Sequence, residues 1–309
     1  MKASLSIDLD NKWSYMKTHG DERWKSLPSY LEMLVPLVLD ILDDLHLRIT
    51  FFIVGRDAAS PRHADVLSEI TRRGHEVGNH SYDHEPWMHR RAPAEINSEL
   101  ALAEDVIERA TGQRPRGFRG PGFTRSDPIL EILVRRGYLY DASSLPTFIG
   151  PLARAYYFRG AKLCKADRVK REELFGRFED GLLPNKPHRI RLKNGSIAEI
   201  PVTTFPLLRV PIHLSYVLYA ASAVSRYAAS AYFRSALWWC RLTGTEPSIL
   251  LHPLDFLSGE QCSELAFFPA MKMDPTLKRR IVIESLEALS RRFDVVPLRE
   301  FAESTSGAA

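Results

Sequence analysis

Two aspartates end the first apolar stretch of the chain. Asp8 and Asp10 lie two residues apart, and alternate residues of an extended strand point to the same side. One carboxylate of such a pair can bind a metal ion while the other accepts a proton. The spacing therefore predicts metal-assisted acid–base chemistry at the end of a strand, unless the backbone turns at Leu9 and separates the two acids.

Two histidines, His80 and His84, lie four residues apart. This spacing places both imidazoles on one face of a helical turn. Together with Asp10 they offer three nitrogen or oxygen ligands, and a metal ion held by three protein ligands keeps a position for water, as catalytic zinc does. A histidine pair taken alone is more often solvated or packed in a core. The combination with Asp10 predicts an open metal site.

Further polar residues follow later apolar stretches. Arg119 precedes Gly120-Pro121-Gly122, and Gly122 can bring its backbone N–H close to a ligand because it has no side chain. It is a candidate oxyanion donor. Asp141 and His252 each end another predicted strand, and we expect them to form an orienting pair. Each of these residues, taken singly, also fits a tight loop or a helix cap.

Short apolar runs alternate with longer amphipathic patterns, which predicts an α/β fold of repeated strand–helix units. Apolar residues recur at steps of three and four over 31–45 and 96–107, as in helices, and Asp274-Pro275 marks the start of a last helix. Another strand is expected to end at Tyr140-Asp141. The remaining predicted strands are 5–9, 49–54, 76–77, 117–118, 197–202, 249–251 and 295–296.

The 309 residues, of which 45% are hydrophobic, fit one enlarged α/β domain over 1–309. Two stretches break the strand–helix rhythm. Residues 146–193 are rich in basic and aromatic side chains and are predicted to be a helical or irregular insertion. Residues 207–240 are apolar and aromatic and are predicted to be helical.

The apolar segment 207–240 has two interpretations. At helical spacing Arg226, Arg234 and Arg241 share one narrow sector, as in a helix that lies at a membrane surface or contacts a lipid-linked sugar. A helical hairpin packed on the barrel is the favoured alternative. A transmembrane helix is disfavoured because the apolar run is short and His213 interrupts it.

Charge and cysteine content exclude several classes. The net charge is +4 without a basic block, so nucleic acid is not an expected partner. The three cysteines are far apart and lack CxxC spacing, which argues against a disulfide framework and a thiolate zinc site. The N-terminus enters a strand at once, without signal-peptide features. We expect a cytoplasmic protein, with peripheral contact at the inner membrane face left open.

Taken together, the motifs resemble the NodB-homology polysaccharide deacetylases, carbohydrate esterase family four. The resemblance implies a distorted (β/α) barrel of about seven strands, with its site at the strand C-terminal ends. It also implies one divalent metal ion, zinc by preference, with cobalt, nickel or manganese open. The motifs occur in the family's order: Asp8 and Asp10, then His80 and His84, then Arg119 and Pro121, then Asp141, then Leu250 and His252.

The resemblance also implies a role for each residue. It makes Asp8 the general base and His252 the general acid of a metal-dependent hydrolysis of an N-acetyl or N-formyl group. The substrate would be an amino sugar in a glycan or a lipid-linked saccharide. The other implied roles are metal binding by Asp10, His80 and His84, ionisation of Asp8 by Arg119, orientation of His252 by Asp141, and oxyanion binding by the Gly122 N–H.

Two departures from the family pattern leave alternatives open. The common first motif has adjacent acids followed by glycine, whereas here the acids are spaced and Asn11 follows, as in a minority branch. Ala142 stands where an aromatic residue often follows the fourth-motif acid. The alternatives are a cyclic-amide hydrolase of the allantoinase-like branch and an inactive carbohydrate-binding module. The intact ligand set favours the metal enzyme.

Overall fold

The computed structural model describes residues 1–158, 169 and 176–306. The centre of the predicted insertion, with Cys164, lies outside the described residues. The strands are β1 (Lys2–Leu9), β2 (Thr50–Ile53), β3 (Glu76–Asn79), β4 (Gly117–Phe118), β5 (Tyr140–Asp141), β6 (His188–Leu192), β7 (Gly195–Glu199), β8 (Ser248–Leu251) and β9 (Asp294–Val296).

Eleven α-helices connect these strands in the described part of the chain. They are α1 (Lys12–His19), α2 (Leu31–Asp44), α3 (Gly55–Ala58), α4 (Ala64–Arg72), α5 (Pro93–Thr111), α6 (Asp127–Arg135), α7 (Gly150–Tyr157), α8 (Leu214–Ala223), α9 (Arg226–Leu242), α10 (Pro275–Ser290) and α11 (Leu298–Ser306). The helices predicted over 31–45, over 96–107 and after Asp274 are therefore present. Asp274 caps the last of these, since its Oδ1 accepts the Leu277 N–H at 2.8 Å.

The strands form one mostly parallel sheet in the order β6-β7-β5-β4-β3-β2-β1-β8, with β9 also paired to β1. This confirms the α/β class. The strand pairing does not close into a complete ring. Between the chain after β7 and β8, the Thr203 N–H donates to the Ser248 carbonyl at 2.9 Å.

The strand count exceeds the predicted seven or so because of the antiparallel hairpin β6–β7. The hairpin begins inside the predicted insertion 146–193 and ends beyond it. Its first strand alternates charged and apolar residues and lies at the sheet end, largely half-buried or exposed. Such a strand lacks the continuous apolar run that marks the buried strands.

Alternation along β1 separates the core from the site. Leu5, Ile7 and Leu9 are buried in the main core with α2, and each such side chain stabilises the fold by about 1.5–3 kcal/mol. The small Ser6 and the carboxylate of Asp8 occupy the other face. A period of two thus gives one strand an apolar face for packing and a polar face for chemistry.

The register brings the ends of the strands together. Cα partners join Leu9 to Ile53, Ile53 to Asn79, and Asn79 to Phe118. The residues that follow this row are therefore neighbours at the carboxyl edge of the sheet, where parallel α/β folds place their sites. These residues include Asp10, His80 and Arg119.

The segment 207–240 contains the helices α8 and α9, which pack against the main core. Val217, Leu218, Phe233 and Leu237 are buried in this contact. These helices pack on the core in the way that the hairpin interpretation expects, and contact with a membrane stays a prediction. Among the described residues, no helix combines the length and apolarity needed to cross a bilayer.

Candidate functional site

Asp10, His80 and His84 converge at the edge of β1 and β3. One ligand atom from each lies within 4.8 Å of the other two, and all three residues are buried. Nε2 of His80 is 3.3 Å and Nε2 of His84 is 2.9 Å from Asp10 Oδ1. Tetrahedral ligands at zinc distances lie about 3.4 Å apart. The spacing suits a shared cation.

The orientation of His80 supports the same conclusion. Its Nδ1 lies 2.7 Å from the carbonyl oxygen of Arg119, which can only accept, so Nδ1 carries the proton. In the neutral ring Nε2 then presents a lone pair to the Asp10 carboxylate. Asp10 Oδ1 has no hydrogen-bond partner among the described residues. Two buried lone pairs that face each other repel unless a positive charge lies between them.

The pKa values in this group shift in opposite directions. Burial would raise the pKa of Asp10, but the facing imidazoles of His84 and His80 outweigh it and hold that pKa well below its usual range. Burial would lower the pKa of His80, but the nearby carboxylates of Asp8 and Asp10 raise it overall. The site therefore favours an ionised carboxylate beside a positive charge.

The predicted helical turn over His80 to His84 is wrong. This stretch is an irregular loop with left-handed backbone at Ser81 (φ 60°) and His84 (φ 49°). The Ser81 N–H donates to Asn79 Oδ1 at 2.8 Å, and the His84 N–H donates to Ser81 Oγ at 3.1 Å. Oε1 of Glu99 accepts two further backbone N–H groups. Side-chain acceptors thus replace the helical hydrogen bonds.

Arg119 is fully buried and holds Asp8. Its Nη1 donates to Asp8 Oδ1 and to Ser6 Oγ, both at 2.8 Å, and its Nε donates to the Ala142 carbonyl at 2.9 Å. The guanidinium also lies 4.4 Å from the centre of the Phe52 ring. These contacts give the guanidinium, and hence Asp8, one position.

Asp141 contacts the turn after β4. Its Oδ1 accepts from Ser143 Oγ at 2.6 Å, and Ser143 Oγ accepts from the Gly120 N–H at 2.8 Å. A Cβ at Gly120 would lie 2.1 Å from the Thr124 carbonyl oxygen, so only glycine fits there. Asp141 therefore supports the turn that carries Gly122, whose left-handed backbone (φ 59°) suits glycine.

His252 has a different acidic neighbour from the predicted one, Asp141. Ser215 Oγ lies 3.1 Å from His252 Nδ1 and donates to Asp255 Oδ1 at 2.7 Å. Because the serine proton goes to the carboxylate, the serine oxygen accepts from Nδ1–H, and Nε2 is left to act in the cavity. Asp255 Oδ2 also accepts the His252 N–H at 2.8 Å. Burial raises the pKa of Asp255.

Four buried or half-buried residues near the site were missed by sequence reasoning. Asp255 had a signal, since it follows His252 by three residues in a short Pro-containing turn. Ser215 and His213 lie in the segment read only as apolar, and Glu199 ends a strand beside Asp141. Burial lowers the pKa of His213 well below its usual value and raises that of Glu199.

The site opens into one cavity of about 850 Å³. Arg119 and Asp141 lie behind its surface and act through neighbours. The predicted residues that line the cavity are Asp8, Asp10, His80, His84, Gly122 and His252. Both aspartates of the first motif therefore face the same space, as expected for an extended strand end.

Part of the chain is similar to known deacetylases. Residues 26–140 match the family model for polysaccharide deacetylase. The chain is similar to a peptidoglycan deacetylase of Helicobacter pylori, with 30% identity over 163 residues, 50% of this chain and 52% of the relative. It is 36% identical over 103 residues to a chitooligosaccharide deacetylase of Bradyrhizobium, 33% of this chain and 46% of the relative. The chain thus spans about half the length of these curated relatives.

Two solved structures share the fold. One, from Mycobacterium smegmatis and described as a polysaccharide deacetylase, has a TM-score of 0.63 at 17% identity and covers 100% of this chain and 92% of its own. The Puue allantoinase has a TM-score of 0.58 at 16% identity, covering 98% and 89%. At these identities the likeness supports the barrel-like α/β fold only.

Proposed function

We infer that the protein hydrolyses an N-acyl group from an amino sugar with a bound divalent metal. Residues 26–140 match the family model for polysaccharide deacetylase, which supports this inference. The observation that carries this inference is the shared cavity. Asp10, His80 and His84 converge at one point of its surface, and Asp8 and His252 line the same space. The curated relatives are named for deacetylation of peptidoglycan or chitooligosaccharide.

The three ligands and their burial suit zinc, which accepts two imidazoles and one carboxylate and keeps a further position open. When bound, such an ion supplies polarisation of the acyl carbonyl and a water of lowered pKa. The carbonyl of Arg119 orients His80 for this task through Nδ1. Such a partner commonly raises metal affinity by 10- to 100-fold, an order-of-magnitude figure.

Asp8 is the proposed base. It takes a proton from the water whose oxygen attacks the acyl carbon, and Arg119 keeps the carboxylate in place through the 2.8 Å hydrogen bond. Negative charge then develops on the former carbonyl oxygen. The Gly122 N–H lines the cavity on the adjoining turn and is the proposed donor to that oxygen.

His252 is the proposed acid. As the C–N bond breaks, Nε2–H gives its proton to the sugar nitrogen, which leaves as an amine, while the acyl carbon departs as a carboxylate bearing the water oxygen. Nδ1–H keeps its hydrogen bond to Ser215 Oγ, and Ser215 in turn donates a hydrogen bond to the Asp255 carboxylate. Ser215 and Asp255 are positioning residues for this step.

The test combines metal analysis with amine release. We expect purified protein to contain about one zinc or similar ion and to release amine from at least one N-acetyl or N-formyl amino sugar. His80→Ala should abolish both metal binding and turnover. His188→Ala, which alters an exposed histidine of β6, is the matched control and should change neither.

Two results would contradict the proposal. One is a fully metal-loaded protein that releases no amine from any N-acylated sugar, including lipid-linked ones. The other is a His80→Ala variant with unchanged metal content. Release of acid from a cyclic amide in place of an amino sugar would favour the allantoinase-like alternative.

A further inference from the structure

The cavity is chemically divided. The acidic and histidine residues of the candidate site form the part of its surface that we call the floor: Asp8, Asp10, His80, His84 and His252. Most of the remaining surface, the apolar wall, comes from lining residues within 149–153, 210–211, 216–223 and 267–271. These side chains are mainly aliphatic and aromatic. The wall belongs to helices and loops outside the parallel strands.

The apolar wall is poorly suited to a sugar chain. A buried hydroxyl without a hydrogen-bond partner costs about 1–3 kcal/mol, and an oligosaccharide carries several hydroxyls on each ring. A cavity of about 850 Å³ is also larger than an acetyl or formyl group requires, since such volumes hold drug-sized ligands. Hydrocarbon would bury the wall without leaving polar groups unpaired.

Exposed apolar side chains lie next to lining residues in the sequence. Leu152 is 71% exposed and adjoins the lining residue Ala153, and Val224 is 76% exposed and adjoins the lining residue Ala223. Tyr227, at the start of α9, is 71% exposed. The helices that supply part of the wall therefore also expose apolar side chains, which are available for a ligand or lipid contact.

We propose that the substrate carries a long hydrocarbon chain, which lies along the apolar wall while its N-acylated amino sugar reaches the floor. This proposal rests on the proposed function and specifies its substrate class. The chain has two chemical sources: a fatty N-acyl group, or a lipid joined to the sugar at its anomeric carbon. The reaction is the same hydrolysis in both cases.

Dissociation constants for ligands of increasing hydrocarbon length test whether the apolar wall binds hydrocarbon. Metal-loaded protein is titrated by calorimetry with methyl, hexyl, octyl and decyl glycosides of N-acetylglucosamine, below their micellar concentrations. We expect the dissociation constant to fall about fourfold for each added methylene, which corresponds to ~0.8 kcal/mol, until the wall is covered. A parallel series of methyl glycosides with N-acyl groups from acetyl to decanoyl covers the other source. Equal affinity along both series would overturn the proposal.

Substitutions in the apolar wall test where the hydrocarbon chain binds. Ala153→Trp and Ala220→Trp fill the cavity from α7 and α8, and each should weaken binding of the tighter-binding of the decyl glycoside and the N-decanoyl methyl glycoside at least tenfold. Ala155→Trp on α7 and Ala231→Trp on α9 add the same side chain at exposed positions outside the lining and should bind normally. Circular dichroism checks folding, and either folded cavity variant suffices. Unchanged binding by a folded cavity variant would also overturn the proposal.

Rates of amine release distinguish a fatty N-acyl group from a lipid at the anomeric carbon. They also distinguish the hydrocarbon site from the proposed deacetylase function. N-acetylated decyl glycoside and N-decanoylated methyl glycoside are compared with the N-acetylated methyl glycoside, and we expect one chain-bearing compound to have at least tenfold higher kcat/KM. Equal kcat/KM for all three compounds would be consistent with the proposed deacetylase reaction but would contradict the hydrocarbon site. Binding that depends on hydrocarbon length without any amine release would support the hydrocarbon site but contradict the proposed reaction.

Discussion

The floor and the apolar wall of the cavity are built from different parts of the chain. The proposed metal ligands and Asp8 at the floor come from strand ends, and their neighbours hold them by hydrogen bonds. The wall comes from α7, α8 and the loop before α10, and it offers mainly apolar surface. In barrel-like folds the strand ends can keep one chemistry while the connecting segments change the substrate.

The two ends also differ in how they treat buried charge. At the floor, Arg119 is matched to Asp8, and Asp10 faces two imidazoles. Behind the wall, buried Lys278 donates from Nζ to the carbonyls of Leu254 and Leu257, at 2.6 and 2.5 Å. Carbonyls offer only partial charges, and the attraction of Asp255 is weaker than the effect of burial on this ammonium group. Substitutions at the floor should therefore affect catalysis most, and substitution of Lys278 should affect the pH dependence of stability.

The largest expected effect lies at the floor. Asp8→Asn keeps the size of the side chain and an oxygen for Arg119 but removes the base, so turnover should fall about 10²- to 10⁴-fold with metal content unchanged. Asp10→Ala should lose both metal and turnover. Metal analysis and amine release on the same preparations test whether Asp8 acts as the base and Asp10 as a metal ligand. Loss of metal in Asp8→Asn would show that both acids are ligands.

The second prediction concerns stability at the other end. Burial lowers the pKa of Lys278 to about 8 from its ordinary value of 10.5. Between these pH values the unfolded chain binds more protons than the folded one, so this residue's contribution to the free energy of unfolding rises with pH. Relative to Lys278→Met, the wild type should gain ~1.4 kcal/mol per pH unit and up to about 3 kcal/mol in total.

Denaturant unfolding of both proteins between pH 7.5 and 10.5 measures this difference, because other titrating groups are common to the pair. A difference that is constant over the range would mean that Lys278 keeps its proton in the folded state. Lys278 would then not differ from the paired charges of Arg119 and Asp8 at the floor.

The smallest effect should separate the two candidate partners of His252. Ser215→Ala or Asp255→Asn removes the link to a carboxylate, and turnover should fall about tenfold, the low end for a hydrogen bond to a charged group. The loss from Ser215→Ala should not add to the loss from Asp255→Asn, because both substitutions break the same link to His252. It should add to any loss from Asp141→Asn.

Turnover of the single and double variants under the same metal loading provides the measurement. If the Ser215→Ala loss adds to that of Asp255→Asn but not to that of Asp141→Asn, the family-implied pairing is correct and the contacts of Ser215 are structural only. Additive losses in both double variants would mean that Ser215 links His252 to neither acid.

The floor was largely predictable from the residues. Asp8, Asp10, His80 and His84 have types that bind metals or move protons, and each follows an apolar run that reads as a strand. Parallel strands end at one edge, so their meeting follows from the strand–helix alternation. The helical reading of the histidine pair failed because side chains such as Asn79 and Ser81 satisfy the loop backbone locally.

Sequence alone thus determined the α/β class, the strand-end position of the proposed metal ligands, and the start of α10 at Asp274-Pro275, although this helix was wrongly predicted to be the last. Only the tertiary structure decided that Ser215 and Asp255 accompany His252, that Asp141 supports the Gly120 turn, and that one side of the cavity is apolar. Patterns along a chain report local periodicity and neighbouring residues. Contacts between residues 37 or more positions apart, such as Ser215 with His252, depend on how the helices pack over the sheet.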